Sequence, residues 1–479
     1  YFSQSDILSR CSLFIHVKIK DDSNFVDNFH ISFTIYVLEK IDMNKGYDKN
    51  KAALTPPMGW NSYDYYNTGV NEAQIRSNAE YMAKNLKDYG WEYIVVDIQW
   101  SDPAALSMVP EVQYVPFTHL CLDEYSRQIP DPVRFPSSAG GKGFKPLADY
   151  IHSLGLKFGI HIMRGIPRFC THNHTKILSE KNVTADKIAN PFSVSKWNGD
   201  MYGVDMTKEG AQDYYDSIFA LYAQWGVDFV KVDDICNTNM YPNDPYSAQK
   251  EIEGIAEAVE KCGRSMVLSL SPGPAVIEKA WHLRKYANMW RITDDFWDEW
   301  RLLKAMFERC EVWQRQVSEG CWPDCDMLPL GMLGKGFAAE RKTRFTKEEQ
   351  RTMMTLWCIF RSPLMIGAEL TLLDEETKAL LTNQEVLSLI KEGRGATQIR
   401  RTEKDCVWKS LSSKDDSVYL ALFNLSDEER EVKVSFEELG MTEEEYKIRD
   451  LWRGNYIEEN VLSARLPLHG AGLYCISRK

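Results

Sequence analysis

The sequence has 479 residues, a formal net charge of −12 and 44% hydrophobic residues, enough for one large barrel with an appended domain and a sizeable core. The acidic balance argues against nucleic acid and anionic membrane as partners, because neither is attracted to a negatively charged surface. No run of about 18 apolar residues is present, so the sequence predicts no transmembrane helix.

Residues 1–50 are predicted to form an N-terminal extension. An apolar, β-prone run at 29–38 lacks the basic flank and small-residue cleavage site of a signal peptide. We therefore expect residues 1–42 to lie outside the functional fold. A cytoplasmic location is expected, with secretion as the alternative.

Short apolar runs alternate with longer amphipathic stretches between residues 51 and 392, as expected for strands followed by helices. The predicted strands are 57–63, 93–100, 157–163, 228–234, 266–272, 289–295, 324–330 and 363–370. The predicted helices are 71–88, 143–154, 208–225, 246–262, 276–286, 300–316, 346–360 and 372–391. Eight consecutive units predict an α/β fold of the (β/α)8 barrel type. The alternative is a doubly wound open sheet, which rarely needs eight such units, and no GxGxxG follows the first strand.

From residue 393 to the C-terminus the pattern changes to short alternating runs separated by polar turns. These runs are 406–411, 417–424, 430–435, 446–452 and 472–477. Alternation of apolar and polar residues is typical of antiparallel strands with one solvated face. Residues 393–479 are therefore predicted to form an antiparallel β-sandwich domain.

Polar side chains recur where the predicted barrel strands end, which is where the active site of such a barrel forms. They are Asp97, His161, Arg164, Lys231, Asp233, Asp234, Ser269, Ser271, Arg291, Asp294, Asp295, Asp324 and Asp326. One Asp at a strand end could simply cap the following helix. Carboxylates at several ends, with Lys and Arg beside them, favour a common site.

Strand parity separates the members of the two Asp-Asp pairs at 233–234 and 294–295. Residues two apart on a strand point the same way. If Lys231 and Arg291 face the barrel mouth, Asp233 and Asp295 face it too. The other member of each pair is then expected to point away.

Two carboxylates facing each other across a pocket, ~5 Å apart, are what a retaining glycosidase requires. The nucleophile must stay ionised, and the positive charge of Lys231 favours this for Asp233. The acid must hold a proton, which the negative charges of Asp294 and Asp233 favour at Asp295. We therefore assign Asp233 as nucleophile and Asp295 as general acid/base. Arg291 would donate to a sugar hydroxyl or brace the nucleophile.

Five motifs in chain order resemble glycoside hydrolase family 27, the α-galactosidase family. They are LTPPMGWNSY (54–63), FVKVDD (229–234), WRITDD (290–295), WPDCDMLPLG (322–331) and SPLMIGAEL (362–370). Lys231 and Asp233 match the Lys-x-Asp pattern of the family's nucleophile strand, and Arg291 and Asp295 match its acid/base strand. The resemblance implies a barrel with a C-terminal β domain, double displacement with retention, and no metal.

Two departures from the family pattern concern the substrate. α-Galactosidases usually carry Asp-Asp on the second strand to bind the 4- and 6-hydroxyls, whereas this chain has Asp97 followed by Ile98. Ile98 would crowd a hydroxymethyl group, which favours a β-L-arabinopyranoside over an α-D-galactoside. The alternative is that Ile98 packs into the wall and galactose shifts slightly. Ser271 stands where α-galactosidases commonly have Glu. A small residue at this position resembles the pattern of α-N-acetylgalactosaminidases, whose pocket has room for a 2-acetamido group.

Further candidate sugar contacts each have an ordinary structural explanation as well. They are Trp60, Trp100, His161, Arg164, Ser269 and Asp326. The tryptophans could be core aromatics, a histidine at a strand end is often structural, and the Asp could brace a neighbouring donor.

Two other classes of protein compete with this interpretation. A metal-dependent barrel hydrolase would need His-x-His on the first strand, which has none. A non-catalytic sugar-binding relative would have lost Asp233 or Asp295. The eleven cysteines form no CxxC pair, which predicts reduced thiols and no zinc site. We therefore predict a retaining exo-glycosidase without cofactors that binds carbohydrate, and association into a homo-oligomer stays open.

Overall fold

The computed structural model describes residues 47–106, 117–238, 241, 243–442, 445–457 and 463–479. The expected N-terminal extension at 1–42 lies outside the described residues. Lys49–Lys479 form one compact unit. Within the described part of the chain, every helix is too short or too polar to cross a membrane.

Eight parallel strands form the predicted barrel. They are β1 (Met58–Asn61), β2 (Tyr93–Val96), β3 (Lys157–Met163), β4 (Phe229–Asp233), β5 (Val267–Leu270), β6 (Met289–Arg291), β7 (Trp322–Asp324) and β8 (Leu364–Ile366). Neighbours from β1 to β7 pair in sequence, and β8 pairs with β1. A parallel bridge between Leu328 and Ile366 closes the ring. The prediction of a strand over 324–330 is misplaced, since β7 overlaps it only at Asp324. The chain leaves the extended conformation after this residue, and Asp326 is left-handed with φ of +77°.

Helices follow the strands at the predicted places. They are α1 (Glu72–Asn85), α2 (Lys145–Ser153), α3 (Ala211–Trp225), α4 (Gln249–Lys261), α5 (Ala280–Tyr286), α6 (Trp300–Trp313), α7 (Lys347–Phe360), α8 (Glu375–Leu381) and α9 (Gln384–Glu392). Local capping sets several boundaries; for example, Thr346 and Glu349 form a capping box at the start of α7. The single helix predicted over 372–391 is two helices, because Asn383 caps the second.

A small antiparallel sheet is inserted between β3 and α3, where the sequence predicted no element. Its strands are Ile166–Pro167, Ala189–Val194 and Met201–Val204. Because the insertion follows the C-terminal end of β3, it lies beside the barrel mouth and adds side chains to it.

The C-terminal residues form two antiparallel sheets, as predicted. The strands are β9 (Gly393–Arg401), β10 (Asp405–Ser412), β11 (Val418–Asn424), β12 (Arg430–Lys433), β13 (Tyr446–Asp450), β14 (Asn455–Ile457), β15 (Ser463–Leu466) and β16 (Ala471–Arg478). One sheet has the order β9-β10-β11-β16-β13-β14, and β12 pairs with β15. An apolar cluster that includes Leu420, Val432 and Ala464 lies between the sheets. The outer face packs on the barrel helices, where the Phe307 and Phe423 rings are 4.8 Å apart.

Candidate active site

A cavity of about 350 Å³ opens at the C-terminal ends of the barrel strands. It contains eight of the site residues predicted from sequence. They are Asp97, Ile98, His161, Lys231, Asp233, Arg291, Asp295 and Asp326. The structure therefore brings both proposed catalytic carboxylates to one pocket.

Asp233 ends strand β4 and is held by two hydrogen bonds. His161 lies on β3, opposite Lys231 of β4, and its Nε2 is 2.9 Å from Asp233 Oδ2. The backbone N–H of Asp234 donates to Asp233 Oδ1 at 2.7 Å. Burial alone would raise the pKa of Asp233, but the His161 hydrogen bond and charge, followed by Lys231, bring the pKa below its usual range. Sequence reasoning credited this ionisation to Lys231 and missed the larger contribution of His161.

Lys231 forms an ion pair in the pocket, with Nζ 3.2 Å from Asp97 Oδ2. Asn61 donates to the same oxygen at 2.7 Å. Burial would lower the pKa of Lys231, but Asp97 and Asp233 raise it above its usual range. Burial would likewise raise the pKa of Asp97, which Lys231 and His161 keep below its usual value. The pair therefore stays charged and offers both a donor and an acceptor to a hydroxylated ligand.

Asp295 lies on the solvent side of the pocket, with 62% of its side chain exposed. Arg291, buried at the end of β6, donates to Asp295 at 3.0 Å and lies 3.1 Å from Asp326. Burial raises the pKa of Asp326, an effect that Arg291 opposes and the charge of Asp295 reinforces. One guanidinium thus positions two carboxyl groups that face the cavity.

Strand parity holds for one Asp-Asp pair and fails for the other. Strand β4 continues to Asp233, and Asp234 turns away, with φ of +55°, to pair with Arg164. Strand β6 ends at Arg291, so the alternation does not extend through the next four residues. The expectation that Asp294 points away is therefore wrong, because it lines the pocket beside Asp295.

Both predicted tryptophan contacts lie in the core instead of the pocket lining. Trp60 is fully buried and donates from Nε1 to the carbonyl of Ala368 at 2.7 Å. Trp100 donates from Nε1 to the carbonyl of His161 at 2.6 Å. Their indole N–H groups join strand ends, so these side chains support the wall from behind.

Three further predicted contacts also lie outside the lining. Arg164 is buried in ion pairs with Asp234 at 2.9 Å and Glu251 at 3.2 Å. Ser269 lies beneath the pocket floor. Ser271 is fully buried, and its Oγ has no hydrogen-bond partner within the described residues. These groups shape the scaffold and do not reach the cavity.

Sequence reasoning missed seven lining residues, besides the wrong orientation expected for Asp294. They are Tyr63, Asp64, Trp197, Pro272, Phe296, Trp297 and Met327. Most lie just beyond the end of a strand, in turns whose direction depends on the fold. The 44 residues from 164 to 207 between predicted strand and helix were a usable signal for Trp197, because connections that long are often functional.

The wall that carries Ile98 is apolar. Ile98 is buried and packs with Met163 of β3 and Met201 of the inserted sheet, with Tyr63 and Trp197 partly buried against them. Since two elements hold Ile98 from behind, it presents a fixed apolar surface to one side of the pocket. In the described residues, no group of three or more His, Cys, Asp or Glu side chains is arranged to hold a metal ion.

Two family models match the chain. Residues 199–392 match a model described as alpha galactosidase A, and residues 402–476 match the alpha galactosidase C-terminal beta sandwich domain. A curated relative, alpha-galactosidase 3 from Arabidopsis thaliana, is 26% identical over 95% of this chain and 87% of its own length.

Two solved structures are similar to this chain in both sequence and fold. A GH27 β-L-arabinopyranosidase from Geobacillus stearothermophilus is 53% identical with a TM-score of 0.85, covering 90% of this chain and 98% of that chain. A candidate alpha-N-acetylgalactosaminidase from Bacillus halodurans is 48% identical with a TM-score of 0.79, covering 89% of this chain and 98% of its own.

Proposed function

The chain belongs to glycoside hydrolase family 27, and from this premise we propose that it is a retaining exo-glycosidase that releases terminal β-L-arabinopyranose. The observation that carries the choice of sugar is Ile98, a buried apolar side chain in the wall of a pocket rich in charged groups. The 53% identical relative described as a β-L-arabinopyranosidase supports the same substrate.

In the proposed first step, a carboxylate oxygen of Asp233 bonds to the anomeric carbon while the bond from that carbon to the aglycone oxygen breaks. Asp295 donates its proton to this oxygen, and the aglycone leaves as an alcohol. Water then attacks the glycosyl ester and gives a proton to Asp295. The sugar leaves with its original anomeric configuration, and Asp233 regains its charge.

The positions of the two carboxyl groups support this order of events. Asp233 is enclosed by His161 and Lys231, whereas most of Asp295 faces solvent. An exo-acting pocket places the aglycone at its mouth, so the exposed acid lies where the aglycone departs. The ion pair of Lys231 and Asp97 then faces sugar hydroxyls remote from the aglycone.

The apolar wall accounts for the preference for a pentose. A hydroxymethyl group directed at Ile98 would have to displace side chains packed behind it, Met163 and Met201. β-L-Arabinopyranose is α-D-galactopyranose without this group, so it avoids the overlap. Differences of one such group are worth roughly 1–3 kcal/mol, or about 10- to 200-fold in specificity.

A preference for α-N-acetylgalactosaminides has less support. It is suggested by the 48% identical relative and by Ser271 where Glu is common. However, Ser271 is fully buried, and the next residue, Pro272, lines the pocket instead.

The test compares kcat/KM on nitrophenyl β-L-arabinopyranoside, α-D-galactoside and α-N-acetylgalactosaminide. We expect wild type to prefer the arabinoside, and Ile98→Ala to raise the ratio of galactoside to arabinoside activity by at least about tenfold. Ile94→Ala removes a fully buried isoleucine of β2 that lies outside the pocket lining, and it should leave this ratio unchanged. Asp233→Asn serves as the inactive control.

An unchanged ratio in Ile98→Ala would discard the apolar wall as the determinant of sugar choice. Full activity in Asp233→Asn would refute the nucleophile assignment. A wild type most active on the 2-acetamido sugar would favour the alternative substrate.

A further inference from the structure

Asp64 contributes a carboxyl group to the pocket, and this group has no role in the proposed reaction. It lies in the short helix Tyr63–Tyr66 directly after β1, is 5% exposed and lines the cavity. Its Oδ2 has no hydrogen-bond partner within the described residues. A buried polar atom without a partner costs free energy, so a carboxyl group in this state requires an explanation.

Gly367, directly after β8, has no side chain and so leaves space for the carboxyl group of Asp64. A Cβ atom on Gly367 would lie 2.0 Å from Asp64 Oδ2, so a larger residue there would displace the carboxyl group. The atoms closest to this Cβ all belong to the Asp64 side chain. Two neighbouring strand ends therefore position one carboxyl group whose Oδ2 has no hydrogen-bond partner among the described residues.

We propose that Asp64 is a further specificity-determining residue, whose carboxyl group forms a hydrogen bond with the 3- or 4-hydroxyl of the bound sugar. This inference rests on the proposed glycosidase function and extends it. The hydroxyl is identified by position. Asp295 marks the mouth and the aglycone, whereas Asp64 and Asp97 are 5% and 2% exposed and face the far side of the sugar ring.

The chemistry of the surroundings suits a neutral carboxyl group. Burial, followed by the negative charge of Asp326, raises the pKa of Asp64 well above its usual range, while Lys231 opposes the shift. A neutral carboxyl group can both donate to and accept from a hydroxyl, as a buried carboxylic acid can in other enzymes. Asp64 thus complements Asp97, which is ionised and can only accept.

The test is a cycle of kcat/KM measurements with deoxy substrates. We would measure kcat/KM for wild type, Asp64→Ala and Asp64→Asn on nitrophenyl β-L-arabinopyranoside and on its 2-deoxy, 3-deoxy and 4-deoxy analogues. Asp64→Ala should lower kcat/KM on the parent about 10- to 100-fold, the range of one hydrogen bond. On the analogue that lacks the partner hydroxyl, the loss should shrink to less than about threefold. The 2-deoxy analogue is the control and should show the full loss.

Two further variants separate the contact from folding. Asp64→Asn keeps the shape and one donor, so we expect less than about tenfold loss on the parent. Gly367→Ala displaces the Asp64 carboxyl and should show the same dependence on the analogue as Asp64→Ala. If Asp64→Ala does not fold, these two carry the test, with thermal unfolding measured for each.

Equal losses on the parent and all three analogues would overturn the inference, because Asp64 would then act only on the scaffold. Wild-type activity on the parent shows that the proposed function survives such a result. Wild-type enzyme inactive on every glycoside would instead end both the proposed function and the role given to Asp64.

Discussion

The ionisation of Asp233 depends on which atoms touch its carboxyl group. Burial opposes a negative charge, yet the pKa of Asp233 is below its usual range, mainly because of the hydrogen bond and charge of His161. Lys231, whose Nζ is paired with Asp97, adds a smaller share. The sugar contact of His161 stays a prediction, and the structure shows this side chain as the hydrogen-bond partner of the proposed nucleophile.

Replacing His161 by Phe should move the acid limb of the pH profile of kcat/KM to higher pH. The carboxylate is the reactive form, so removing a group that lowers the pKa of Asp233 lets it protonate at higher pH. The acid limb should move by about 1–2 pH units, the equivalent of one hydrogen bond to a charged group, so activity relative to wild type falls more at acid pH than at pH 8.

His152→Phe is the matched control for that profile. His152 Nε2 lies 2.7 Å from Asp228 Oδ2 outside the pocket, so its replacement removes a similar His–Asp contact. An unchanged acid limb in His161→Phe, or the same shift in His152→Phe, would contradict the role of His161.

At the scale of secondary-structure elements, strand length decides which side chains face the mouth. Strand β4 reaches Asp233, whereas β6 stops at Arg291, which is why parity applied to one Asp-Asp pair only. The inserted sheet after β3 is joined to the barrel by Glu251 of α4. This carboxylate accepts from Val204 N at 3.0 Å and lies 3.2 Å from Arg164.

Glu251→Gln should destabilise the barrel because it removes the charge of one of the two carboxyl groups paired with the buried Arg164. We expect the free energy of unfolding to fall by about 1–3 kcal/mol, the cost of leaving a buried charged group with fewer partners. Urea unfolding at pH 7 measures it. Glu257→Gln on the same helix removes a half-exposed pair with Lys261 and should cost less than about 1 kcal/mol. Equal effects would show that Glu251 does not hold the insertion.

At the scale of the whole molecule, several carboxyl groups are buried where the barrel meets the pocket. Burial, reinforced by Asp326, raises the pKa of Asp324 to about 7, although Arg291 opposes it. Burial also raises the pKa of Asp234 to about 7, against the pull of Arg164. Folding therefore takes up protons in weakly acid solution.

This uptake predicts a loss of stability as pH rises. An acid whose pKa is higher in the folded state stabilises that state below the unfolded pKa near 4, and the contribution is lost as pH passes about 7. Asp324→Asn cannot ionise, so its free energy of unfolding relative to wild type should increase from pH 4.5 to pH 8.5 by about 1–3 kcal/mol.

Urea unfolding at a series of pH values measures this difference. In Asp186→Asn the difference from wild type should stay constant over the same range, because the pKa of Asp186 is lowered and the group is ionised throughout. A constant difference for Asp324→Asn as well would refute the assignment.

The sequence by itself determined the architecture and the pair of proposed catalytic residues. The order of strands and helices follows from local periodicity, because each element must present an apolar face to the core. Asp233 and Asp295 stood out because chemistry in such a barrel is confined to strand ends, and their motifs resemble those of one family. The acidic charge and the position of Ile98 were also readable without a structure.

Only the tertiary structure decided which groups meet in the pocket. The pairing of His161 with Asp233, the packing of Met201 behind Ile98 and the approach of Gly367 to Asp64 join residues far apart in the chain. Such contacts depend on strand register and on where each strand ends, and neither is encoded in local periodicity. Periodicity tells which side a residue faces, whereas its neighbours across space follow from how all eight strands close into one ring.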